Sequence, residues 1–264
     1  MKITVFTSNH TRHLSLINSL SAISNEVFAI QESTTVFTGK VDDFYEKSQV
    51  MQEYFLNVMA AEKKMFGNIG FLPQNVKQIS LKMGDLNHLP LKVIQEALNS
   101  DVYVVFGASY IKGELVDFLV KNKCFNIHMG ISPFYKGNST NFWPLYDERP
   151  EMVGATIHFL TKGLDSGPML FHALPSTDNL GPFDLGMKAV KVAQEGLCEK
   201  IGSGRIFEMK PELQDKNKVI RYTKRADFTD KVASGYLERL LSPNEIKDKL
   251  ESRNMGLFYN PYLG

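Results

Sequence analysis

The chain has 264 residues, of which 43% are hydrophobic, enough for a full globular core, so global disorder is excluded. Its 30 basic and 29 acidic residues leave a net charge of +1, which excludes the strongly basic footprint of a general nucleic-acid binder. Two cysteines, Cys124 and Cys198, exclude a disulfide framework, and the lack of a signal peptide and of any ~20-residue apolar run predicts a cytoplasmic protein without membrane spans.

The first 30 residues have the pattern of a strand, a helix and a second strand. The apolar, β-branched run Ile3–Thr7 is followed by apolar residues at helical spacing from 14 to 23, and residues 27–30 are apolar again. Such an opening predicts an α/β fold with a parallel sheet and helices on its faces.

The rest of the chain continues this alternation up to about residue 204. We expect helices over 41–66, 90–98, 112–120, 138–146 and 183–201, and strands over 76–81, 101–107, 125–128, 154–159 and 169–174. Beyond Gly204 charges are dense, with six basic and two acidic residues between Lys216 and Lys231. We therefore expect a catalytic domain over 1–204 and a small C-terminal subdomain over 205–264 that packs on it.

Several common site motifs are missing from the sequence. There is no G-x-G-x-x-G after the first strand, no P-loop, no G-x-S-x-G and no H-E-x-x-H. His10 and His13 are three residues apart, but no third ligand accompanies them, so a solvated helix start is the better interpretation. No metal site is expected.

The stretch from 125 to 170 carries the chemistry. Asn126 and His128 alternate on a predicted strand, so both side chains leave the same face, and Asp165 follows in a loop flanked by Gly163 and Gly167. Singly, these could be a backbone-capping Asn, a core His and a turn Asp. Together, at the end of a strand where open α/β sheets bind ligands, they indicate a site.

This stretch resembles the N10-formyltetrahydrofolate-dependent formyltransferases, and most closely the sugar N-formyltransferases within them. The shared pattern is Asn126-Ile-His128, Pro133 and Gly137, then Gly154-Ala-Thr156-Ile-His158, then Asp165-Ser-Gly167. The resemblance covers about residues 2–204. It departs in the loop after His128, which reads Gly-Ile-Ser-Pro, and before Trp143, and both departures concern the acceptor more than the reaction.

The resemblance implies a Rossmann-like formyltransferase domain, a catalytic triad and a folate pocket. Asn126 would hold the oxyanion of a tetrahedral centre, His128 would transfer protons, and Asp165 would orient the imidazole. The formyl donor would be N10-formyltetrahydrofolate, a co-substrate, without a metal. The positions implied for its binding are Ala108, Ser109, Tyr110, Ile111, Leu160, Thr161, Gly163 and Leu164. For Ile111 and Leu160 a plain core role is the alternative, and His158 is expected to be structural.

The acceptor residues follow from the same resemblance and from local chemistry. A helix start with small polar residues suits a phosphate, although N-capping by Ser8 or Asn9 is the alternative. The positions expected to contact the acceptor are Ser8, Asn9, Arg12, Lys136, Asn138, Ser139, Thr140 and Asn141. The basic run 216–225 is either a solvated face or a further phosphate contact.

The acceptor class is chosen by elimination. Glycinamide ribonucleotide transformylases are shorter, and methionyl-tRNA formyltransferases carry a larger C-terminal barrel and a basic surface for tRNA. We therefore expect N-formylation of a nucleotide-linked amino sugar, for surface polysaccharide such as lipopolysaccharide. The alternatives are another amine, including a carrier-bound one, a formyltetrahydrofolate hydrolase, or a folate-binding module. No nucleic-acid partner is expected. Residues 255–264 either cover a homodimer surface or close the core.

Overall fold

The structure is a computed structural model that describes residues 1–36 and 47–264. The strands in chain order are β1 (Lys2–Ser8), β2 (Glu26–Ser33), β3 (Val76–Lys82), β4 (Val102–Val105), β5 (Phe125–Met129), β6 (Tyr135–Gly137), β7 (Ala155–Phe159), β8 (Met169–Leu174), β9 (Arg221–Thr223) and β10 (Tyr262–Leu263). The helices are α1 (Thr11–Ala22), α2 (Gln49–Phe66), α3 (Gly113–Lys121), α4 (Phe142–Tyr146), α5 (Pro182–Gly202), α6 (Asp230–Leu237) and α7 (Pro243–Glu251).

Within these residues, eight strands form one sheet in the order β10-β8-β7-β5-β4-β1-β2-β3. The five strands from β3 to β5 are parallel, β7 runs antiparallel to both of its neighbours, and β10 is parallel to β8. The predicted α/β class with a mostly parallel sheet is therefore confirmed.

Both faces of the sheet are covered, so the central strands β1 and β4 carry buried side chains on both faces. On β1, Ile3 and Val5 enter a core that includes Leu16 of α1 and Leu197 of α5, while Phe6 faces the opposite core with Leu119 of α3. A third apolar cluster joins α4 to α6 and α7.

Residues 205–264 contribute to both sheets. Strand β9 pairs in parallel with β6, and β10 is added to the edge of β8. Phe258 is buried, and the ring of Tyr262 contacts Phe171, so this end of the chain closes the core. The boundary near 204 stays a prediction.

Two predicted helices are shorter than expected. Residues 90–98 form only a 3₁₀ turn at Leu91–Ile94 and further turns, although Leu91, Ile94 and Leu98 have helical spacing and pack in the same core. The helix predicted over 138–146 begins at Phe142, because Ser139 has a left-handed φ of 56° that no helix accepts.

The long second helix begins at Gln49, where Ser48 Oγ accepts a hydrogen bond from the Met51 N–H. The part of that prediction over 41–46 lies outside the described residues. In the two described ranges, no helix is both long and apolar enough to cross a membrane.

Candidate active site

Strand β5 places Asn126 and His128 at one end of the sheet. Only Phe125 and Asn126 pair with β4, so His128 lies beyond the point where β4 ends. The alternate residues Phe125 and Ile127 enter the core beneath. The alternation of polar and apolar residues in this strand therefore separates a site face from a core face.

Asp165 joins these two side chains. Its Oδ2 lies 3.3 Å from His128 Nδ1, and its Oδ1 accepts a hydrogen bond from Asn126 Nδ2 at 3.3 Å. Burial opposes ionisation of Asp165, but His128, His158 and the hydrogen bond from Asn126 together outweigh burial and hold the pKa of the carboxyl below its usual range. His128 Nε2, the opposite ring nitrogen, is buried and has no hydrogen-bond partner among the described residues.

His158 accepts a second hydrogen bond from the Asn126 amide. Asn126 and His158 are paired residues of β5 and β7, and Asn126 Nδ2 lies 2.9 Å from His158 Nε2. Burial lowers the pKa of His158 to about 4, so the ring is neutral at physiological pH. Asn126 therefore has both amide hydrogens engaged, one with His158 and one with Asp165.

The loop that carries Asp165 depends on a glycine. A Cβ on Gly167 would lie 1.7 Å from the carbonyl oxygen of Phe159 and 2.8 Å from His158 Nδ1, so no larger residue fits there. Asp165 itself has a left-handed φ of 45°, which is costly for a residue with a side chain. The loop is thus held in one tight conformation against β7.

The contacts of Thr156 explain why the motif Gly154-Ala-Thr156-Ile-His158 contains a threonine. Its hydroxyl is fully buried, donates to the Gly130 carbonyl at 2.7 Å and accepts from the Ser132 N–H at 2.8 Å. These two bonds fix the chain directly after His128. Thr156 supports the site without facing it.

A cavity of about 300 Å³ opens over the three polar side chains. All eight residues predicted to bind the formyl donor line it: Ala108, Ser109, Tyr110, Ile111, Leu160, Thr161, Gly163 and Leu164. Asn126, His128 and Asp165 line it too. Ile111 also packs in the core beneath, so the two interpretations of that residue are compatible.

Glu32 is a functional candidate that the motif analysis missed. Its carboxylate is fully buried and accepts hydrogen bonds from the backbone N–H groups of Gly84, Leu86 and Ser109 and from the Ser109 hydroxyl, at 2.6–3.3 Å. It thereby fixes the start of the loop that lines the cavity. An acidic residue in the apolar run Glu26–Ser33 was the available signal.

Of the predicted acceptor residues at the end of β1, Ser8 and Arg12 line a second cavity of about 360 Å³, whereas Asn9 is not among the residues that line it. Neither Ser8 nor Asn9 caps α1, whose N-cap residue is His10. Ser8 Oγ donates to the Glu32 carbonyl at 2.8 Å, and the Asn9 amide bonds both the N–H and the C=O of Thr34. N-capping by Ser8 or Asn9 is therefore wrong.

Arg12 is tied to a buried carboxylate. Its Nη1 lies 2.5 Å from Oε2 of Glu62 on α2, whose other oxygen accepts the Arg12 N–H and the Thr11 hydroxyl at 3.1 Å. The guanidinium is consequently held in place at the edge of the second cavity.

The interpretation of His10 and His13 as a solvated pair is wrong for His13. That ring is buried, stacks on Phe106 at 4.8 Å and lies 2.8 Å from the Thr7 hydroxyl. Burial, followed by the charge of Arg12, lowers the pKa of His13 well below its usual value. The spacing of residues along α1 could not reveal this, because Phe106 lies far along the chain, directly after β4.

The loop after β6 borders the first cavity. Asn138, Ser139 and the buried Thr140 line it, while the Asn141 side chain accepts the Gly154 N–H at 3.1 Å. Lys136 is half-buried on β6, paired in register with Tyr222 of β9.

The basic residues of the run 216–225 do not form one continuous surface. Arg221 forms two hydrogen bonds with Asp147, at 2.5 and 3.0 Å, and its guanidinium lies over the Trp143 ring. Lys216, Lys218, Lys224 and Arg225 are exposed.

Met129 connects the cavities. It lines the first cavity, the second, and a third of about 340 Å³ that is bordered by the aromatic side chains of Tyr54, Phe142 and Tyr236. Arg12 lines both the second and the third. The residue after His128 is thus the meeting point of one predicted donor pocket and two neighbouring spaces. Among residues 1–36 and 47–264, no group of three or more His, Cys, Asp or Glu side chains is arranged to hold a metal ion.

Comparison with known proteins identifies relatives over the first part of the chain. Residues 1–179 match the family model described as formyl transferase. Methionyl-tRNA formyltransferase from Thermotoga neapolitana is 30% identical over 149 residues, which is 51% of this chain and 46% of that protein. The chain spans about half the length of the curated relatives it matches.

Solved structures resemble nearly the whole chain at low identity. A 4-N formyltransferase from Francisella tularensis aligns with a TM-score of 0.53 and 18% identity, over 99% of this chain and 91% of that one. An N-formyltransferase from Helicobacter canadensis, solved with folinic acid and dTDP-3-aminofucose, aligns with a TM-score of 0.52 and 16% identity, over 89% and 79%. At these identities the likeness establishes the fold.

Proposed function

Because this chain belongs to the formyl transferase family, whose model it matches over residues 1–179, we propose that it is an enzyme that transfers a formyl group from N10-formyltetrahydrofolate to an amine. We further propose that the acceptor is the amino group of a nucleotide-linked sugar used for surface polysaccharide. Asn126, His128 and Asp165 are the proposed catalytic residues.

One observation carries this proposal: Asp165 meets Asn126 and His128, which come from a strand almost 40 residues earlier in the chain, and all three side chains line one cavity. Asp165 contacts both His128 and Asn126, each at 3.3 Å, and all three line the same space. His128 Nε2 is a buried nitrogen with no partner in the described part of the chain. Such an atom is costly to bury unless a ligand engages it.

His128 is suited to remove the proton of the attacking amine. With Asp165 ionised, Nδ1–H is oriented toward the carboxylate and Nε2 presents a lone pair. The amine nitrogen bonds to the formyl carbon, its proton passes to Nε2, and the same proton can return to the departing folate nitrogen. A positioned imidazole of this kind contributes about 10²–10⁴ in rate.

Asn126 is suited to stabilise the oxyanion on the former formyl oxygen. Its hydrogen bond to Asp165 is long, at 3.3 Å, whereas its bond to His158 is 2.9 Å. We expect the longer bond to be exchanged for the oxyanion while His158 keeps the amide in place. One such donor is worth about 10²–10³ in rate in other enzymes.

The donor is assigned to the first cavity and the acceptor to the two spaces that meet it at Met129. Arg12 lies between those two spaces and suits a phosphate, and the aromatic rim of the third suits a flat ring. The Helicobacter canadensis relative, solved with folinic acid and dTDP-3-aminofucose, supports a folate donor and a nucleotide-sugar acceptor here.

The test is release of tetrahydrofolate from N10-formyltetrahydrofolate by purified protein with different acceptors. The panel contains UDP-, dTDP-, GDP- and CMP-linked amino sugars, glycinamide ribonucleotide, methionyl-tRNA, and water alone. His128→Asn is the matched variant, because its amide is close in size to the imidazole but cannot take the proton.

Turnover with a nucleotide sugar that is lost in His128→Asn would support the whole proposal. Turnover with methionyl-tRNA or glycinamide ribonucleotide alone would retain the reaction and replace the acceptor. Turnover with water as fast as with every amine would overturn formyl transfer in favour of hydrolysis, and folate binding without turnover would overturn catalysis.

A further inference from the structure

Gln214 reaches from the C-terminal segment into the loop that carries Asp165. Its Nε2 donates to the backbone carbonyl of Asp165 at 2.8 Å and to that of Gly167 at 2.9 Å. The side chain is half-buried, and the residue lies outside the 1–179 range matched by the family model.

The two carbonyls belong to a loop that needs external support. Asp165 has a φ of 45°, a region that residues with a side chain occupy only when their surroundings enforce it. The Asp165 side chain makes one contact with His128 and one with Asn126, both 3.3 Å long, so those contacts hold it weakly. The bonds from Gln214 are shorter and act on the backbone itself.

Gln214 is in turn fixed to the sheet. Two residues earlier, Glu212 exchanges both backbone hydrogen bonds with Met169, at 2.7 and 2.8 Å, in an antiparallel bridge to the first residue of β8. The Tyr259 hydroxyl donates to the Lys210 carbonyl at 2.6 Å. The segment from 210 to 214 is therefore anchored to the same strand that the Asp165 loop leads into.

The amide has one orientation that fits. Both partners are carbonyl oxygens, so only the NH₂ group can face them. The other end of the amide, Oε1, is buried and has no hydrogen-bond partner among the described residues. A glutamate at this position would place an acceptor against two acceptors, and a methionine would keep the length and remove both donors.

We propose that Gln214 is a positioning residue for the reaction, which holds the Asp165 loop so that its carboxylate faces His128. This inference rests on the proposed function, because it assigns Gln214 a role in the same catalytic site. It also gives the segment beyond residue 204 a part in catalysis.

The test compares Gln214→Met with Gln74→Met, a matched change at an exposed glutamine that makes no side-chain hydrogen bond in the described residues. We expect Gln214→Met to lower kcat by about tenfold or more, since small misplacements of catalytic groups are costly, and to change KM for the formyl donor by less than about twofold. The inflection of its pH–rate profile that reports protonation of Asp165 should move to higher pH, toward the ordinary 3.8, because the carboxylate loses contact with His128. Gln214→Glu should lower kcat further. Gln74→Met should leave kcat, KM for the formyl donor and the pH–rate profile unchanged.

A readout independent of activity separates this inference from the proposed function. Hydrogen–deuterium exchange over 163–167 should be faster in Gln214→Met than in the wild type and in Gln74→Met. If the wild type releases no tetrahydrofolate, the proposed function fails while this measurement still tests the contact. Unchanged exchange overturns the inference, and so does a variant that is less heat-stable but has the wild-type kcat and pH profile.

Discussion

The Asn126 amide nitrogen lies 2.9 Å from His158 Nε2, and this contact determines where His158 carries its proton. An amide nitrogen can only donate, so Nε2 accepts, and the proton resides on Nδ1, which lies 2.8 Å from the Phe159 carbonyl. Burial keeps the ring neutral, with a pKa of about 4. His158 therefore sets the orientation of the Asn126 amide. This contact links the Gly154–His158 motif to the Asn126–His128 motif.

Replacing His158 should impair catalysis more than stability explains. In His158→Leu, Asn126 loses the acceptor that orients its amide, so we expect kcat to fall by about tenfold to a hundredfold. His172→Leu is the matched control, because His172 is also buried and burial also lowers its pKa to about 4. His172 does not line the first cavity; its Nδ1 accepts a hydrogen bond of 3.0 Å from the Tyr259 N–H. The measurement is kcat alongside the unfolding midpoint of both variants.

A similar fall in kcat for the two variants, in proportion to their loss of stability, would remove the orienting role of His158.

The charge of Asp165 should appear in the pH dependence of both activity and stability. Its folded pKa lies below the ordinary 3.8, so the carboxylate contributes stability that is present above 3.8 and is lost as the pH falls through the lowered folded value. Relative to the wild type, Asp165→Asn should therefore gain stability as the pH is lowered below about 4. Its kcat should be lower by about 10² or more at neutral pH, since an amide cannot balance the His128 imidazolium.

Urea unfolding of both proteins at several pH values between 3 and 7 measures the first effect. A stability difference that stays constant over that range would contradict the ionised, His128-paired state of Asp165.

The sequence predicts the site better than it predicts the supports of the site. Alternation on β5 places Asn126 and His128 on one face, and the glycines around Asp165 predict its tight loop. Periodicity within a single element was sufficient for these. It was insufficient for His13, on which Phe106 stacks from the residue directly after β4, and for Gln214, whose partners lie 47 and 49 residues away.

The fold shows the same division. Strands with continuous apolar runs and the helix at Pro182–Gly202 were predicted to within a few residues, because burial decides them locally. The predicted helix over 138–146 was too long, because the left-handed Ser139 is imposed by the loop that lines the cavity.

Glu32 should control binding of the formyl donor. In Glu32→Gln, the NH₂ group would face backbone N–H groups of Gly84, Leu86 and Ser109, so at least one buried donor loses its acceptor, at about 1–3 kcal/mol. The loop that starts at Ala108 should loosen, and we expect KM for N10-formyltetrahydrofolate to rise by about tenfold. Donor titrations at saturating acceptor measure this.

Glu62→Gln serves as the control, since Glu62 is likewise a buried carboxylate but holds Arg12 on the acceptor side. It should raise KM for the acceptor and leave KM for the donor unchanged. Equal effects of the two variants on donor KM would show that Glu32 acts through global stability.

Buried neutral histidines should make the protein sensitive to mild acid. Burial lowers the pKa of both His158 and His172 to about 4, while an unfolded histidine has a pKa of 6.5, so between these values the unfolded chain binds more protons. The sign of the linkage is that stability is fully present above 6.5 and falls as the pH drops toward 4. Each histidine should contribute a slope of about 1 kcal/mol per pH unit to the free energy of unfolding in this window.

His172→Leu should lower the free energy of unfolding at pH 7.5. It should also reduce the slope of that free energy between pH 6.5 and 4.5 by about 1 kcal/mol per pH unit, as measured by urea unfolding at pH 4.5, 5.5, 6.5 and 7.5. A variant that keeps the wild-type slope would mean that His172 does not gain a proton on unfolding in this range, and the acid sensitivity would then have to come from His13 and His158.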